Sequence, residues 1–400
     1  MTTSTSDRLA PIEKTHILVV GGGPVGLFAA HCAARRGLRV VVLEQNFRSQ
    51  ARGHAALLHP SSLRLLGESG FAQRLLAEGR SIDRVDLYID GKLGQTLELP
   101  SPALTIAQSV FEELLLKDLR AEVDIRSPCE ATALTQTAGG VQARVVRREL
   151  VGLRDPSHPD SWEPVESSLI EADFVIGADG YESRVRAGLG LESLNLGATE
   201  TFAMFEGPRA SLGSTLDLAF QDGLGAAAFP LPDRRGRWGF QLDDELSRVP
   251  DLQQLRKFLS ERGPWHDQGT SEVEWSTVTH FERRLARHFG SGRAWLAGDA
   301  AHVTSPFGGQ SMNGGLSEVA DWVEHMAGCI FDGKPLATLT QLGAVREREW
   351  HKLLGFNVSF DAPDNAPSWI REYARRIVPA LPASGHDLQQ LLRQLSITVR

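Results

Sequence analysis

Apolar runs that end on glycine or an acid recur along the chain, and their period changes partway through. "HILVV" (16–20) is continuously apolar, as a parallel strand buried on both faces requires. Helical spacing follows in "LFAAHCAARRG", stopping at Gly37, and a second strand, "LRVVVLE" (38–44), closes on Glu44. "FVIGA" before Asp179 and "RAWLAGDAAH" (293–302) repeat the strand-then-acid pattern, and "LSEVADWVEHMAGCI" shows helical apolar spacing. Between 199 and 284, "ETFAMFEG", "STLDLAFQD", "LGAAAFPLP", "RWGFQLD" and "EVEWSTVTHFE" read as successive strands broken by Gly, Pro and Asp turns. "IDRVDLYIDGKLGQTLEL" (82–99) reads as a hairpin of the same sheet, turning near Asp90-Gly91.

These patterns predict an α/β fold: a Rossmann-like domain, an interleaved and largely antiparallel β-sheet domain, and C-terminal helices. The expected division gives the Rossmann-like domain residues 1–81, 103–190 and 286–350. The hairpin 82–102 and the sheet 191–285 form the second domain, and 351–400 holds "SWIREYARRIVPAL" and "HDLQQLLRQLS" as helices. "RDPSHPDSWEP" (154–164) is polar and Pro-rich, and is expected to be a mobile surface insertion within a hairpin.

Composition narrows the possibilities. Four hundred residues at 42% apolar content can bury a large core. A net charge of −8 without clustered Lys and Arg argues against nucleic-acid binding. No stretch approaches the roughly 18 apolar residues of a membrane span, and "MTTSTSDRLAPIEK" lacks a signal-peptide core. Cys32, Cys129 and Cys329 are too far apart for a metal or redox spacing, so no metal site is expected and a cytoplasmic location is.

The first βαβ unit carries Gly21-x-Gly23-x-x-Gly26 between strand and helix, with Pro24 and Val25 inside the turn. Such glycines allow a tight turn, let backbone approach a pyrophosphate, and let helix pack on strand. The pyrophosphate then lies on the positive end of the helix. Glu44, 18 residues beyond Gly26, is placed to accept hydrogen bonds from a ribose hydroxyl. The unit binds a dinucleotide and leaves NAD and FAD open. Asp179 follows a strand end, where ligands of open sheets bind, or else caps the helix of "ESRVRAGLG". With Glu44 and Asp299 it makes three strand-terminal acids able to line one crevice. After Asp299 the chain passes Pro306, Gly308, Gly309 and Asn313 into Gly314-Gly315, ahead of a helix. Backbone amides and a helix N-terminus there would stabilise the negative charge of a reduced flavin, which favours FAD.

Together, "GGGPVGL" (21–27), "GADGYESRVR" (177–186) and "GDAAHVTSPFGGQSMNGG" (298–315) resemble the class A flavoprotein monooxygenases, the family of para-hydroxybenzoate hydroxylase and the aromatic polyketide hydroxylases. "ARGHAALLHPSSLRLLGESG" (51–70) is similar to the family's Arg-led segment. "AQSVFEELLLKDL" (107–119) is similar to its Gln-led helix, with Ser109 and Glu112 spaced as a capping box. The resemblance implies that Gly21, Gly23, Pro24, Val25, Gly26 and Glu44 hold the adenosine half of FAD. Arg52 and Gln108 would contact the nucleotide, and Asp179 would sit near the cofactor. Asp299 would hold the ribityl chain, and Gly309, Met312 and Asn313 would cradle the ring. Pro306 would lie beside the substrate, with Phe229 and Phe240 as candidate pocket walls. The chain departs from the family in carrying Ser311 where Gly is commoner and Glu318 where Asp is commoner.

The implied reaction uses NADH or NADPH as a transient reductant. O2 then adds at flavin C4a, and the hydroperoxide hydroxylates a small aromatic or polycyclic substrate. No catalytic side chain is assigned, and either a monomer or a homodimer fits. Three other readings are a flavin-dependent halogenase, an NAD-dependent dehydrogenase, and an inactive FAD-binding accessory protein. The first lacks its Trp-x-Trp-x-Ile-Pro segment here, Trp238 standing alone in "RRGRWGFQLD". The second leaves the Asp299 loop unexplained.

Overall fold

The computed structural model describes residues 12–46, 55–68, 71–119, 123–151, 161–209, 213–243, 250–265 and 272–400. Arg52, expected to contact the nucleotide, lies outside the described residues, as does most of the 154–164 segment. The part of that segment within them, from Ser161, is strand rather than mobile insertion, because it pairs with the preceding strand from Val151↔Ser161 onward.

In chain order, β1 (Glu13–Val20), α1 (Pro24–Arg35) and β2 (Val40–Leu43) form the expected βαβ unit. β3 (Ala55–Leu58), α2 (Pro60–Glu68) and α3 (Ala72–Glu78) lead into the hairpin of β4 (Arg80–Ile89) and β5 (Lys92–Ala107). Next come α4 (Gln108–Leu119), β6 (Asp124–Arg126), the hairpin of β7 (Cys129–Gln136) and β8 (Val141–Val151), β9 (Ser161–Gly177), α5 (Arg184–Gly188) and β10 (Ser193–Asn195). β11 (Glu200–Pro208), β12 (Thr215–Gln221), β13 (Leu224–Leu231), β14 (Arg235–Leu242), α6 (Leu252–Arg262) and β15 (Trp275–Phe281) follow. The chain returns through β16 (Arg284–Ala286), β17 (Gly290–Ser291), β18 (Ala294–Leu296), β19 (His302–Val303), α7 (Gln310–Phe331) and α8 (Ala337–Leu353). It ends with β20 (Phe360–Asp361), α9 (Ser368–Ala380), α10 (Gly385–Gln394) and β21 (Thr398–Val399).

One sheet has the order β17-β18-β9-β1-β2-β6, parallel from β18 to β6, with β7 and β8 added along the N-terminal half of β9. Its central strand is apolar throughout Ile17–Val20 because both faces are covered, by α1, α4 and α7 on one side. α7 lies close to α1 because Gly315 has no side chain: a Cβ there would come within 2.8 Å of Val25 and of the Gly298 Cα.

The second sheet, β15-β11-β14-β13-β12-β4-β5-β3, is antiparallel except where β12 runs parallel to β4. The β4–β5 turn falls on Asp90 and Gly91, both at positive φ (47° and 76°), as a tight two-residue hairpin requires. β5 continues unbroken past residue 102 to join the start of α4. Alternate residues send two apolar sets to opposite faces. Leu218, Ala227, Phe229 and Met204 face α9, which buries Tyr373, Ile377 and Val378 against them. Ala226, Ala228, Trp238 and Phe240 face α6 and its Leu255 and Phe258. The apolar pattern of the sequence does not reveal α6. Its start is nonetheless encoded: Asp251 accepts from the Gln254 amide (3.0 Å) while Gln254 reaches back to the Asp251 amide (3.1 Å).

Two expectations about helix starts are corrected. α4 begins at Gln108, so Ser109 is inside the helix rather than at its cap. α7 begins at Gln310, so Asn313, Gly314 and Gly315 are within the helix, not ahead of it. Gly309, left-handed at φ 63°, sets that start. Gly314 is glycine because the Trp350 ring occupies the position 2.6 Å from where a Cβ would be.

Candidate cofactor-binding site

The parallel sheet brings the strand-terminal acids to its carboxyl edge, where Glu44 follows β2, Asp179 follows β9 and Asp299 follows β18. A crevice of about 210 Å³ opens there between Gly21, Gly23, Glu44, Asp179, Gly180 and Arg184. Its glycines have different jobs. A Cβ at Gly21 would lie 2.1 Å from the Ala178 carbonyl oxygen, and one at Gly26 would lie 1.9 Å from that of Gly21, so both are required by the turn itself. A Cβ at Gly23 would meet nothing within 4 Å: the bare backbone there faces open space at the start of α1. Pro24 occupies the first helical position, where its missing N–H costs nothing, and no acid stands in the first turn. The positive dipole, the open backbone and the absence of an acid from the first turn of α1 fit a pyrophosphate.

Glu44 accepts from the Gly22 amide (2.7 Å) and the Asn46 amide (2.7 Å), which presents its carboxylate at the crevice mouth. Asp179 accepts from the Ser183 hydroxyl (2.5 Å) and from the Arg184 and Val185 amides (2.7 and 3.1 Å). It therefore holds the start of α5, as the capping reading expects, while lining the crevice. Burial pushes its carboxyl above the usual range, against the pull of those donors. Arg186 ties the two downstream acid loops together, donating to the Ala300 carbonyl (2.7 Å) and the Tyr181 carbonyl (2.7 Å). Asp299 is open to solvent, yet the protein mass around it raises its carboxyl, with His302 and Ser311 opposing. An accessible carboxylate ringed by protein is what a cleft wall looks like, and it suits a ligand rich in hydroxyls.

Asn313 is spent on the fold. Its Oδ1 accepts from the His59 amide (2.7 Å), and its Nδ2 donates to the Leu57 and Gly309 carbonyls (2.6 and 2.7 Å). The side chain thereby clamps the end of β3 onto the first turn of α7. Val25 packs against Gly298 and Gly315, and Met312 lies half-buried against the core. Gln108 donates to Glu112 (2.8 Å).

Phe229 and Phe240 do not share a wall. Phe229 is on the face toward α9, whereas Phe240 stacks on Phe258 at 5.1 Å under α6. The residue between the 304–309 loop and the sheet is Phe307, next to the half-buried Pro306. It fills the space left at Gly225 and Gly239, within 2.9 Å of either missing Cβ, and meets Phe202 edge-on at 5.1 Å. Its partners are far away in sequence, and spacing alone could not reveal it. Glu318 was legible in principle: it lies on the same helical stripe as the buried Gly315 and Trp322, a polar residue at a core position.

Residues 14–334 match the FAD binding domain family, and the chain belongs to it. Among curated relatives it is 28% identical over 311 residues to the 6-methylpretetramide 4-monooxygenase of Streptomyces rimosus, covering 76% of this chain and 54% of that protein. It is 27% identical over 379 residues, 88% of both chains, to the 6-hydroxy-3-succinoylpyridine 3-monooxygenase of Pseudomonas putida. The chain spans 54 to 63% of the length of three such relatives. The fold is that of p-nitrophenol 4-monooxygenase from Pseudomonas putida DLL-E4, with a TM-score of 0.72 at 20% identity over 96% of this chain and 97% of that one. Among the described residues no helix is long and apolar enough to cross a membrane.

Proposed function

We propose that the protein is an FAD-dependent monooxygenase that uses NADH or NADPH and O2 to hydroxylate an aromatic or polycyclic small molecule. The observation that carries this reading is the contact at Phe307 between the loop that follows Asp299 and the antiparallel sheet. The loop that follows Asp299 supplies both the start of α7 and the aromatic residue seated on the inner face of the antiparallel sheet. A planar ring held by that loop therefore has an apolar roof beside it, which excludes water. The names of the relatives, which act on ring compounds, support the same class of substrate.

In this reading Gly23 and the N-terminus of α1 take the pyrophosphate and Glu44 accepts from the adenosine ribose. Asp299 accepts from the ribityl hydroxyls. When bound, the flavin supplies hydride acceptance from the nicotinamide and activation of O2. The first turn of α7, without an acidic residue, stabilises negative charge on the ring edge that it faces. Pro306 and Phe307 bound the substrate side, and Arg52 and Gln108 approach the nucleotide. The 1–81, 103–190 and 286–350 segments then supply the cofactor domain, except that β3 joins 82–102 and 191–285 in the roof sheet.

The test is aerobic turnover of FAD-loaded protein with NADH or NADPH and a panel of phenols, fused polyketides and hydroxypyridines, read by mass spectrometry. A product heavier by one oxygen atom is expected for one class. Protein that takes up no FAD would overturn the reading.

A further inference from the structure

Glu318 is wholly buried in α7, and its carboxylate holds both ends of the turn that carries Asp299. Oε2 accepts from the Gly298 amide (3.1 Å), immediately before Asp299, where the backbone is left-handed at φ 60°. Oε1 accepts from His302 Nε2 (2.7 Å), at the end of the turn, and from Trp350 Nε1 (2.8 Å) on α8. Burial alone would raise this carboxyl, but His302, Arg346 and Trp350 hold it below its usual value, so it is ionised.

The His302 ring is fixed from every side. It stacks on Trp350 with centroids 3.5 Å apart and planes 18° apart, and Phe289 lies 5.5 Å away. Facing a carboxylate, Nε2 carries the proton. Nδ1 is buried with no hydrogen-bond partner among the described residues, so within them the ring gives up one bond to keep the other. The His302 carbonyl accepts from the Ser311 hydroxyl (3.1 Å), and Ser311 also stands beside the Asp299 carboxylate. Three tethers thus converge on one short turn, and the residue at its centre is the acid proposed to meet the ribityl chain.

We infer that Glu318 and His302 are positioning residues for the cofactor: they set the Asp299 carboxylate in place and act on FAD only through it. This rests on the reading of Asp299 given above. Replacing Glu318 by Gln keeps the volume but sets a donor against the Gly298 amide or the His302 ring.

The experiment is FAD titration of the apo-protein for wild type, Asp299→Ala, Glu318→Gln and the double variant. Glu318→Gln should weaken FAD binding about 10-fold in the wild-type background and less than about 2-fold when Asp299 is already Ala. Equal losses in both backgrounds, or no loss in either, would overturn the inference. Wild-type affinity in Asp299→Ala alone would instead overturn the assignment of Asp299 to the cofactor. Should Glu318→Gln not fold, His302→Met and His302→Gln serve the same purpose. Gln restores an N–H for Glu318 and should lie within about 3-fold of wild type, while Met loses about 10-fold. Equal behaviour of those two would contradict the positioning role.

Discussion

His59 donates from Nε2 to the Gly308 carbonyl across 2.7 Å, tying the end of β3 to the loop in front of α7. The Ser384 hydroxyl at the start of α10 meets its Nδ1 at 3.2 Å, so the neutral ring is satisfied at both nitrogens. Complete burial lowers its pKa from 6.5 to about 4, with the Gly308 carbonyl and Asp387 opposing.

Acid should therefore loosen this junction. The unfolded chain takes up the proton first, so the stability tied to neutral His59 is complete above pH 6.5 and declines as pH falls toward 4. The loss is roughly 2 kcal/mol at about pH 5 and levels off near 3 kcal/mol. His59→Gln, which keeps a donor for Gly308, should flatten this limb in urea melts between about pH 7.5 and pH 5. An unchanged slope in that variant would place the acid sensitivity elsewhere.

Gly23 and Gly26 should part company on substitution. Gly23→Val has an ordinary backbone and open space, so the apo-protein should melt within about 0.5 kcal/mol of wild type while losing FAD affinity. Gly26→Ala drives a methyl into the Gly21 carbonyl and should destabilise the apo-protein itself. Normal FAD binding by Gly23→Val would mean that the glycine turn is only a turn.

Asn313 should behave as a clamp. Asn313→Ala orphans the His59 amide and the Leu57 carbonyl inside the protein, at a cost of about 2–4 kcal/mol in chemical denaturation. A stability change below about 0.5 kcal/mol would contradict the clamp.

Phe240 should matter for folding and not for substrate choice. Phe240→Ala removes a ring packed under α6 and should cost about 3–5 kcal/mol with the substrate range unchanged. Phe229→Ala alters the face toward the cofactor loop, and a shift in accepted ring size is expected there. A changed substrate range in Phe240→Ala would contradict the two-face assignment.

What could be read in advance follows from the range of the interactions. The βαβ unit, the Asp90-Gly91 hairpin and the run of sheet strands are local patterns, and each has the expected form. The start of α7 is not legible in the sequence because Gly314 and Gly315 look like loop glycines until Trp350 and Gly298 are seen against them. Asn313 looked like a ligand residue for a related reason, since its partners Leu57 and His59 lie more than 250 residues away. Phe229 and Phe240 look alike in the sequence because both are aromatic sheet residues. Only strand register separates their faces.

The most direct test of the central claim is anaerobic reduction of FAD-loaded protein by NADH and NADPH, followed by readmission of O2, with and without a panel of aromatic compounds. The account predicts one flavin per chain, reduced at least about 10-fold faster when an accepted compound is present, and reoxidised by O2. A bound flavin that neither nicotinamide reduces under any of these conditions, or a chain that binds no flavin, would contradict it.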